Sequence, residues 1–350
     1  MHKKFFRCSG EREKALTEMI EKLIARKWIV PSKSEWTSQA FVVPKPPDPT
    51  GQKKWRLVLD YRYLNSQTKD DPFPLPLIED LITKQAANRL WSILDLEDGF
   101  HQMHLHPDSQ PYTAFVTPHG IYQWTVLPMG VKNGPAMFQR MIQWVLRDLP
   151  FVMVYIDDVL VGTPPPSNTT KEDILDTHFR DVSAVLKAFR KHVLFVKGAK
   201  VHLFRKTIKF CGHILSEGQR KAAPSKLEAI KKWTPEVIKT LTHLKGFLGL
   251  TQYYSIYIKD YAKIAVPLSR QLKNRAPEDT KVVSDDDMRQ ALEIIKTLLL
   301  ENVVLDIPDP YKPYVLEVDS SDYAVGGVLS QHNPQNELRP VAFFQSQAAR

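Results

Sequence analysis

Two adjacent acids, Asp157 and Asp158, stand between apolar runs in the segment FVMVYIDDVLVG. Side chains alternate across a strand, so neighbouring acids converge on one site only at a tight turn. Within an apolar hairpin their like charges are costly to bury unless a cation neutralises them. A hard divalent ion with oxygen ligands, Mg²⁺, meets that need. An Asp-Asp pair also serves as ordinary hairpin punctuation, but here VMVY and VLVG surround it with apolar strand. Asp95 closes a second apolar run, WSILDL, at 91–96; alone, it suits a turn or helix cap equally well. Three carboxylates from two strand ends can hold two Mg²⁺ ions about 3.5–4 Å apart, the geometry of in-line phosphoryl transfer. A zinc reading of His101, His104 and His106 is poorer. Only the last two share a strand face, and no Cys lies nearby to complete a tetrahedral set.

The elements that must position these acids follow from pattern. Apolar residues at Leu16, Met19, Ile20, Leu23, Ile24 and Trp28 are spaced for a helix, with Ser9 as its cap and Glu11 and Glu13 at its positive end. FVVPK and KWRLVLDYR read as two strands joined by PPDPTGQ. Pro72, Pro74 and Pro76 mark an extended crossing. Strand-like stretches are expected from Met103 to Val116 and from Ile121 to Leu127. A helix opens at Gly134-Pro135 with the stripe Met137, Phe138, Met141, Ile142, Val145 and Leu146. TPPPSNTTK, which includes the Asn168 sequon, reads as a loop before another helix from Ile174 to Phe189. Helical pattern returns from Ser225, and YVLEVDSSDYAVGGVLSQ alternates like the opening hairpin of a new sheet. The order of elements argues for several subdomains of an α+β architecture.

With 350 residues, 43% hydrophobic and 25% charged, the chain has the apolar content for real cores. Lys and Arg outnumber Asp and Glu by 48 to 39, for a net +9 that suits a polyanionic partner. Eight of those cations fall between Lys187 and Lys209 without an acid, interleaved with Phe189, Phe195, Phe204 and Phe210. Such a run can track a phosphate backbone, and it equally describes a solvated helix face followed by a hairpin. Cys8 and Cys211 form no disulfide framework and no zinc ribbon, which fits a reducing, intracellular setting. Neither a signal peptide nor an 18-residue apolar run is found, so no membrane partner is expected.

These motifs resemble one family. YIDD is similar to the Y-x-D-D motif of reverse transcriptases, and ILDLEDGFHQMHLHPDSQPYTAF to the segment carrying their first catalytic Asp. LPMGVKNGPAMFQRMI resembles the nucleotide-pocket loop and its helix, KWRLVLDYRYLN the fingers hairpin, and FCGHILSEG the primer grip. GFLGLTQYYSIYIKDYAKIAVPL is similar to the thumb-to-connection stretch. The wording is nearest to the gypsy class of long-terminal-repeat elements, with retrovirus-like Pol polyproteins.

The resemblance implies a right-hand polymerase: fingers and palm over 1–221, thumb over 222–270, connection over 271–310. It implies an incomplete RNase H-like α/β fragment over 311–350. Asp95, Asp157 and Asp158 become the metal ligands for two Mg²⁺, with Mn²⁺ as a substitute. Lys45 and Arg56 match residues holding the triphosphate of an incoming deoxynucleotide. Phe100 matches the steric gate against a ribose 2′-hydroxyl, and otherwise reads as core packing. Met129 would line the pocket without base-specific contact. Cys211 and Gly212 fall in the primer grip, where Gly lets the backbone approach closely. Asp319 matches the first metal-binding acid of RNase H, but one acid builds no two-metal site, so no RNase H activity is expected. The expected partners are an RNA or DNA template, its primer and deoxynucleoside triphosphates. The expected setting is a cytoplasmic virus-like particle or the nucleus, without secretion. Two competing readings are a catalytically silent nucleic-acid-binding remnant and an RNA-dependent RNA polymerase; Phe100 opposes the second.

Overall fold

The computed structural model describes residues 10–45, 53–165, 173–272, 277, 279–301, 303–320 and 324–347. Cys8, Ser9, the PPDPTGQ turn and the Asn168 sequon lie outside the described residues. The chain divides into two compact units. One draws on residues 1–75, 94–159 and 183–201, the other on 76–93, 160–182 and 202–350.

The first elements are α1 (Glu11–Ala25), β1 (Ile29–Pro31), β2 (Ser38–Pro44), β3 (Trp55–Leu59), α2 (Arg62–Gln67), α3 (Ile78–Thr83) and β4 (Leu90–Asp95). Next come β5 (Phe115–Thr117), β6 (Gly120–Trp124), α4 (Gly134–Val145), β7 (Val152–Tyr155), β8 (Asp158–Thr163) and α5 (Ile174–Lys191). They are followed by β9 (His202–Arg205), β10 (Thr207–Phe210), β11 (His213–Ser216), β12 (Gln219–Ala222), α6 (Pro224–Lys231), α7 (Leu241–Tyr253), α8 (Tyr261–Ile264) and α9 (Val266–Arg270). The chain closes with α10 (Asp286–Leu300), β13 (Leu305–Asp306), β14 (Val315–Ser320), β15 (Ala324–His332) and β16 (Leu338–Gln347). The mixed α+β content expected from pattern is what the chain forms.

In the first unit, the sheet β1-β6-β5-β2-β3 carries α1 on one face. Leu16 and Ile20 of that helix join Ile29, Val42, Phe115, Trp124 and Val126 in one buried cluster. The β2/β3 hairpin is antiparallel with Val43 opposite Arg56. One expectation is corrected here. Most of the stretch from Met103 to Val116 is not strand, because Pro107–Thr113 winds into a 3₁₀ helix before β5 begins. Pro107 and Pro111 remove the donors a strand ladder would need.

A further sheet has the order β7-β8-β4-β9, and along the chain β4 and β8 pass from one unit to the other. In the second unit the inner parts of these strands are tied by buried polar groups. Ser92 Oγ lies 2.7 Å from His178 Nε2, Thr163 Oγ1 lies 2.8 Å from His178 Nδ1, and Thr163 donates to Asp181 at 2.8 Å. Burial holds the His178 imidazole below its ordinary pKa. Helices α6 to α10 bury Leu227, Leu244, Phe247, Leu268, Leu292 and Ile295 in the unit's largest cluster.

Pairing at the C-terminus goes beyond the expected hairpin. β16 adds a third strand beside β15, and Phe343 from β16 packs on the cluster that includes α10. Leu316 and Val318 of β14 nevertheless stay 56% and 55% exposed. No helix among the described residues is long and apolar enough to cross a membrane.

Gly162 on β8 tests the inner packing. A Cβ there would collide with Asn88 Nδ2 and Gln85 Oε1. Those amides hydrogen-bond each other at 2.8 Å, and Gln85 also accepts from Trp91 at 3.1 Å. Gly162→Ala should therefore lose about 2–3 kcal/mol in denaturant unfolding, the scale of core overpacking. A loss within about 0.5 kcal/mol, the range of an ordinary surface change, would show that this contact is not fixed.

Candidate active site

A two-residue loop, Ile156-Asp157, joins β7 to β8. Ile156 takes φ 54°, a left-handed backbone that a β-branched side chain adopts only under constraint. Such strain costs about 1–3 kcal/mol and persists where surrounding bonds over-determine it. Gln139, buried on α4, supplies them. Its Oε1 accepts from the Ile156 N–H at 2.6 Å, and its Nε2 donates to the Val154 carbonyl at 3.0 Å. The turn thereby delivers Asp157 and Asp158 at one end of the hairpin.

Asp157 Oδ1 is buried with no hydrogen-bond partner. Gly99 leaves room for it, since a Cβ there would sit 2.7 Å from that oxygen and 3.0 Å from Phe138 Cζ. Burial first, then the Asp95 and Asp158 carboxylates, push Asp157 up to about 6, while Lys200 opposes the rise. Asp95, at the end of β4, gives Oδ2 to Lys200 Nζ at 2.9 Å, and its carbonyl accepts from the Lys197 N–H at 2.8 Å. Among the described residues no three acidic, His or Cys side chains are gathered into a formed metal-ligating set. Ligand geometry and charge thus point in different directions. Charge is the firmer guide to fit, because a buried orphan carboxylate oxygen beside two further carboxylates is a deficit that a divalent cation corrects.

Of the other expected site residues, Lys45, Arg56, Phe100 and Met129 belong to this same unit. Lys45 and Arg56 are exposed on the β2/β3 hairpin, and Met129 is 56% exposed. Phe100 lies in a 3₁₀ turn directly after Gly99, half-buried, with its ring 5.1 Å from that of Phe138. His101 is stacked on Trp124 at 5.0 Å and lies 4.7 Å from Trp28, and burial lowers its pKa. His104 faces Val126 in an isolated bridge, and His106 sits 3.5 Å from Asp108.

Cys211 and Gly212 belong to the second unit, in the turn between β10 and β11, with φ 45° and 83°. The Tyr253 hydroxyl donates to the Cys211 carbonyl, and the Tyr254 hydroxyl donates to that of Gly212 at 3.1 Å. His213 next to them lies 2.7 Å from the Tyr257 hydroxyl, and burial, then Arg220, lowers its pKa to about 4. In the same unit Asp319 lines a cavity of about 120 Å³ with Glu317, Lys259 and Asp260.

Sequence reading missed Gln139, Gly99, Lys200 and the two tyrosines. Only Gln139 left a signal, as a polar residue beside Arg140 between Phe138 and Met141 of the apolar stripe. Lys200 was hidden within a basic run, where any one lysine looks like the next.

Two outcomes follow from this geometry. The folded pKa of Asp157 lies above its ordinary value of 3.8. Stability linked to it is therefore complete below about pH 4 and is lost as pH rises through about 6. In a metal chelator, Asp157→Asn should be more stable than wild type above pH 6, by on the order of 2 kcal/mol. That gap should vanish near pH 4, and a pH-independent gap would refute the assignment. Gln139→Leu removes both bonds that hold the Ile156 turn. It should cost about 2–3 kcal/mol in urea unfolding, whereas a change near zero would mean the turn stands without it.

Comparisons with known proteins agree with these observations. Residues 43–215 match the family "Reverse transcriptase (RNA-dependent DNA polymerase)", and residues 285–349 match "RNase H-like domain found in reverse transcriptase". The chain is 36% identical over 344 residues to the retrovirus-related Pol polyprotein from transposon opus of Drosophila melanogaster, covering 96% of this chain and 33% of that protein. It is 32% identical to the corresponding polyprotein from transposon gypsy, over 93% of this chain and 31% of the relative. The chain thus spans about a third of the length of these relatives. Among solved structures, the foamy viral protease-reverse transcriptase dRH in complex with ds DNA superposes with a TM-score of 0.80 at 23% identity. That match covers 99% of this chain and 57% of the other, and it shows a shared fold. The chain belongs to the reverse transcriptase family, as a portion of the kind found in gypsy-type, retrovirus-related Pol polyproteins, with RNase H-like sequence at its C-terminal end.

Proposed function

We propose that this chain is an RNA-directed DNA polymerase that adds deoxynucleotides to a primer 3′ end by two-metal phosphoryl transfer. The observation that carries the proposal is the buried, unpartnered Oδ1 of Asp157, whose pKa is raised first by burial and then by the carboxylates of Asp95 and Asp158. Those three residues would hold the two Mg²⁺ ions. When bound, the ions supply an acidified 3′-hydroxyl and charge neutralisation for the departing pyrophosphate.

The remaining residues bind and orient. Arg56 offers a planar fork and Lys45 a point charge to the triphosphate, both from an exposed hairpin. Phe100, in the 3₁₀ turn that follows the Asp95 strand, excludes a 2′-hydroxyl by bulk. Met129 lines the base pocket by contact alone. Cys211 and Gly212 present a side-chain-poor turn to the primer backbone, held by Tyr253 and Tyr254. The left-handed turn keeps their carbonyls on the tyrosines rather than on the primer. In this reading residues 1–221 are fingers and palm, 222–270 thumb, 271–310 connection, and 311–350 the first part of an RNase H-like domain. The template and primer, bound through phosphates, would show salt-sensitive affinity.

The test is extension of a DNA primer on an RNA template with deoxynucleotides and Mg²⁺. Asp157→Asn should lower extension by on the order of 10²–10³-fold, the scale of removing one electrostatic stabiliser, while template binding persists. A folded wild type that binds template yet extends nothing would replace this reading with that of a silent nucleic-acid-binding protein.

A further inference from the structure

Lys200 pairs with the carboxylate cluster, and the reaction as proposed above gives it no work. Its Nζ lies 2.9 Å from Asp95 Oδ2. Its backbone is fixed. Lys200 ends the 3₁₀ turn Gly198–Lys200, with its N–H donating to the Lys197 carbonyl at 2.8 Å. Lys197 in turn bonds the Asp95 carbonyl at 2.8 Å, and Val196 bridges to Leu96. The side chain, by contrast, is 58% exposed against 20% for Asp95, so its ammonium can leave for water while the backbone stays.

We infer that Lys200 is the resident counter-cation of the carboxylate cluster, and that a divalent metal binds by displacing its ammonium from Asp95. The inference rests on the metal-site reading of Asp95, Asp157 and Asp158 and adds a competitor to it. A divalent ion and an ammonium repel each other at hydrogen-bond distance, so an ion that takes Asp95 Oδ2 displaces the lysine from it. The consequence is a trade: the lysine steadies the acids when no metal is present and weakens metal affinity by the worth of the pair.

The experiment is a calorimetric titration of Mn²⁺ into the full chain without nucleic acid, comparing wild type, Lys200→Met, Lys197→Met and Asp157→Asn. Lys200→Met should bind Mn²⁺ roughly three- to fivefold tighter, the upper part of the range for releasing a partly exposed ion pair. Lys197→Met removes an equal charge one turn away but leaves the Asp95 carboxylate paired, so it should stay within about twofold of wild type. In chelator, Lys200→Met should also melt at a lower temperature than wild type, and Mn²⁺ should raise its midpoint by more. Unchanged or weaker binding by Lys200→Met overturns the inference, as does an equal gain in Lys197→Met, which would reduce the effect to net charge. Should wild type show no Mn²⁺ binding that Asp157→Asn removes, the metal-site reading itself fails and takes this inference with it. Circular dichroism of each variant separates loss of fold from loss of binding.

Discussion

Bringing like charges together out of water is the constraint on which the first unit turns. Asp157 and Asp158 are adjacent in sequence, and a regular strand would send them to opposite faces. The hairpin resolves this by reversing direction at Ile156, in a conformation that glycine would adopt freely and isoleucine does not. The strain is local, and so is its remedy: one buried glutamine from α4 bonds the backbone on both sides of the turn. A buried side-chain amide is itself costly unless satisfied. Gln139 and the hairpin therefore stabilise each other, and α4 is tied to the acids through that exchange.

The electrostatics are left unbalanced. A protein that needed only a stable turn would pair Asp157 Oδ1 or expose it, yet it is buried, unpartnered and crowded by other carboxylates. Gly99 and Phe138 close the space around that oxygen, so the deficit is built by packing rather than by accident of a surface loop. Perturbed carboxylates cluster at functional sites for this reason: the energy withheld from the empty protein is recovered when a ligand of opposite charge arrives.

In the second unit a comparable economy of backbone appears. Cys211 and Gly212 both take left-handed conformations, and their carbonyls are claimed by the hydroxyls of Tyr253 and Tyr254 from α7 and its end. No side chain can be added at Gly212 without meeting Tyr254, because a Cβ would lie 2.7 Å from its hydroxyl. The turn and the helix are thus fitted to each other. The same unit fixes the inner halves of β4 and β8 through Ser92, His178, Thr163 and Asp181, a network with contacts of 2.7 and 2.8 Å.

Much of this was legible in the residues themselves. The hairpin around Asp157, the strand ending at Asp95, the β2/β3 hairpin and the helix at Gly134-Pro135 are each set by local periodicity and by turn chemistry, which act over a few residues. The 3₁₀ winding of Pro107–Thr113 and the pairing of β16 with β15 were not, because proline-broken segments and late strands take their form from neighbours distant in the chain. The site divides in the same way. Sequence singled out Asp157 and Asp158, a pair framed by the apolar runs VMVY and VLVG. Tertiary structure alone decided what meets them: Gln139 is 17 residues from the turn it holds, and Lys200 is 105 residues from Asp95. Contacts over such separations depend on how helices and strands pack, and packing is not written in the spacing of any one segment.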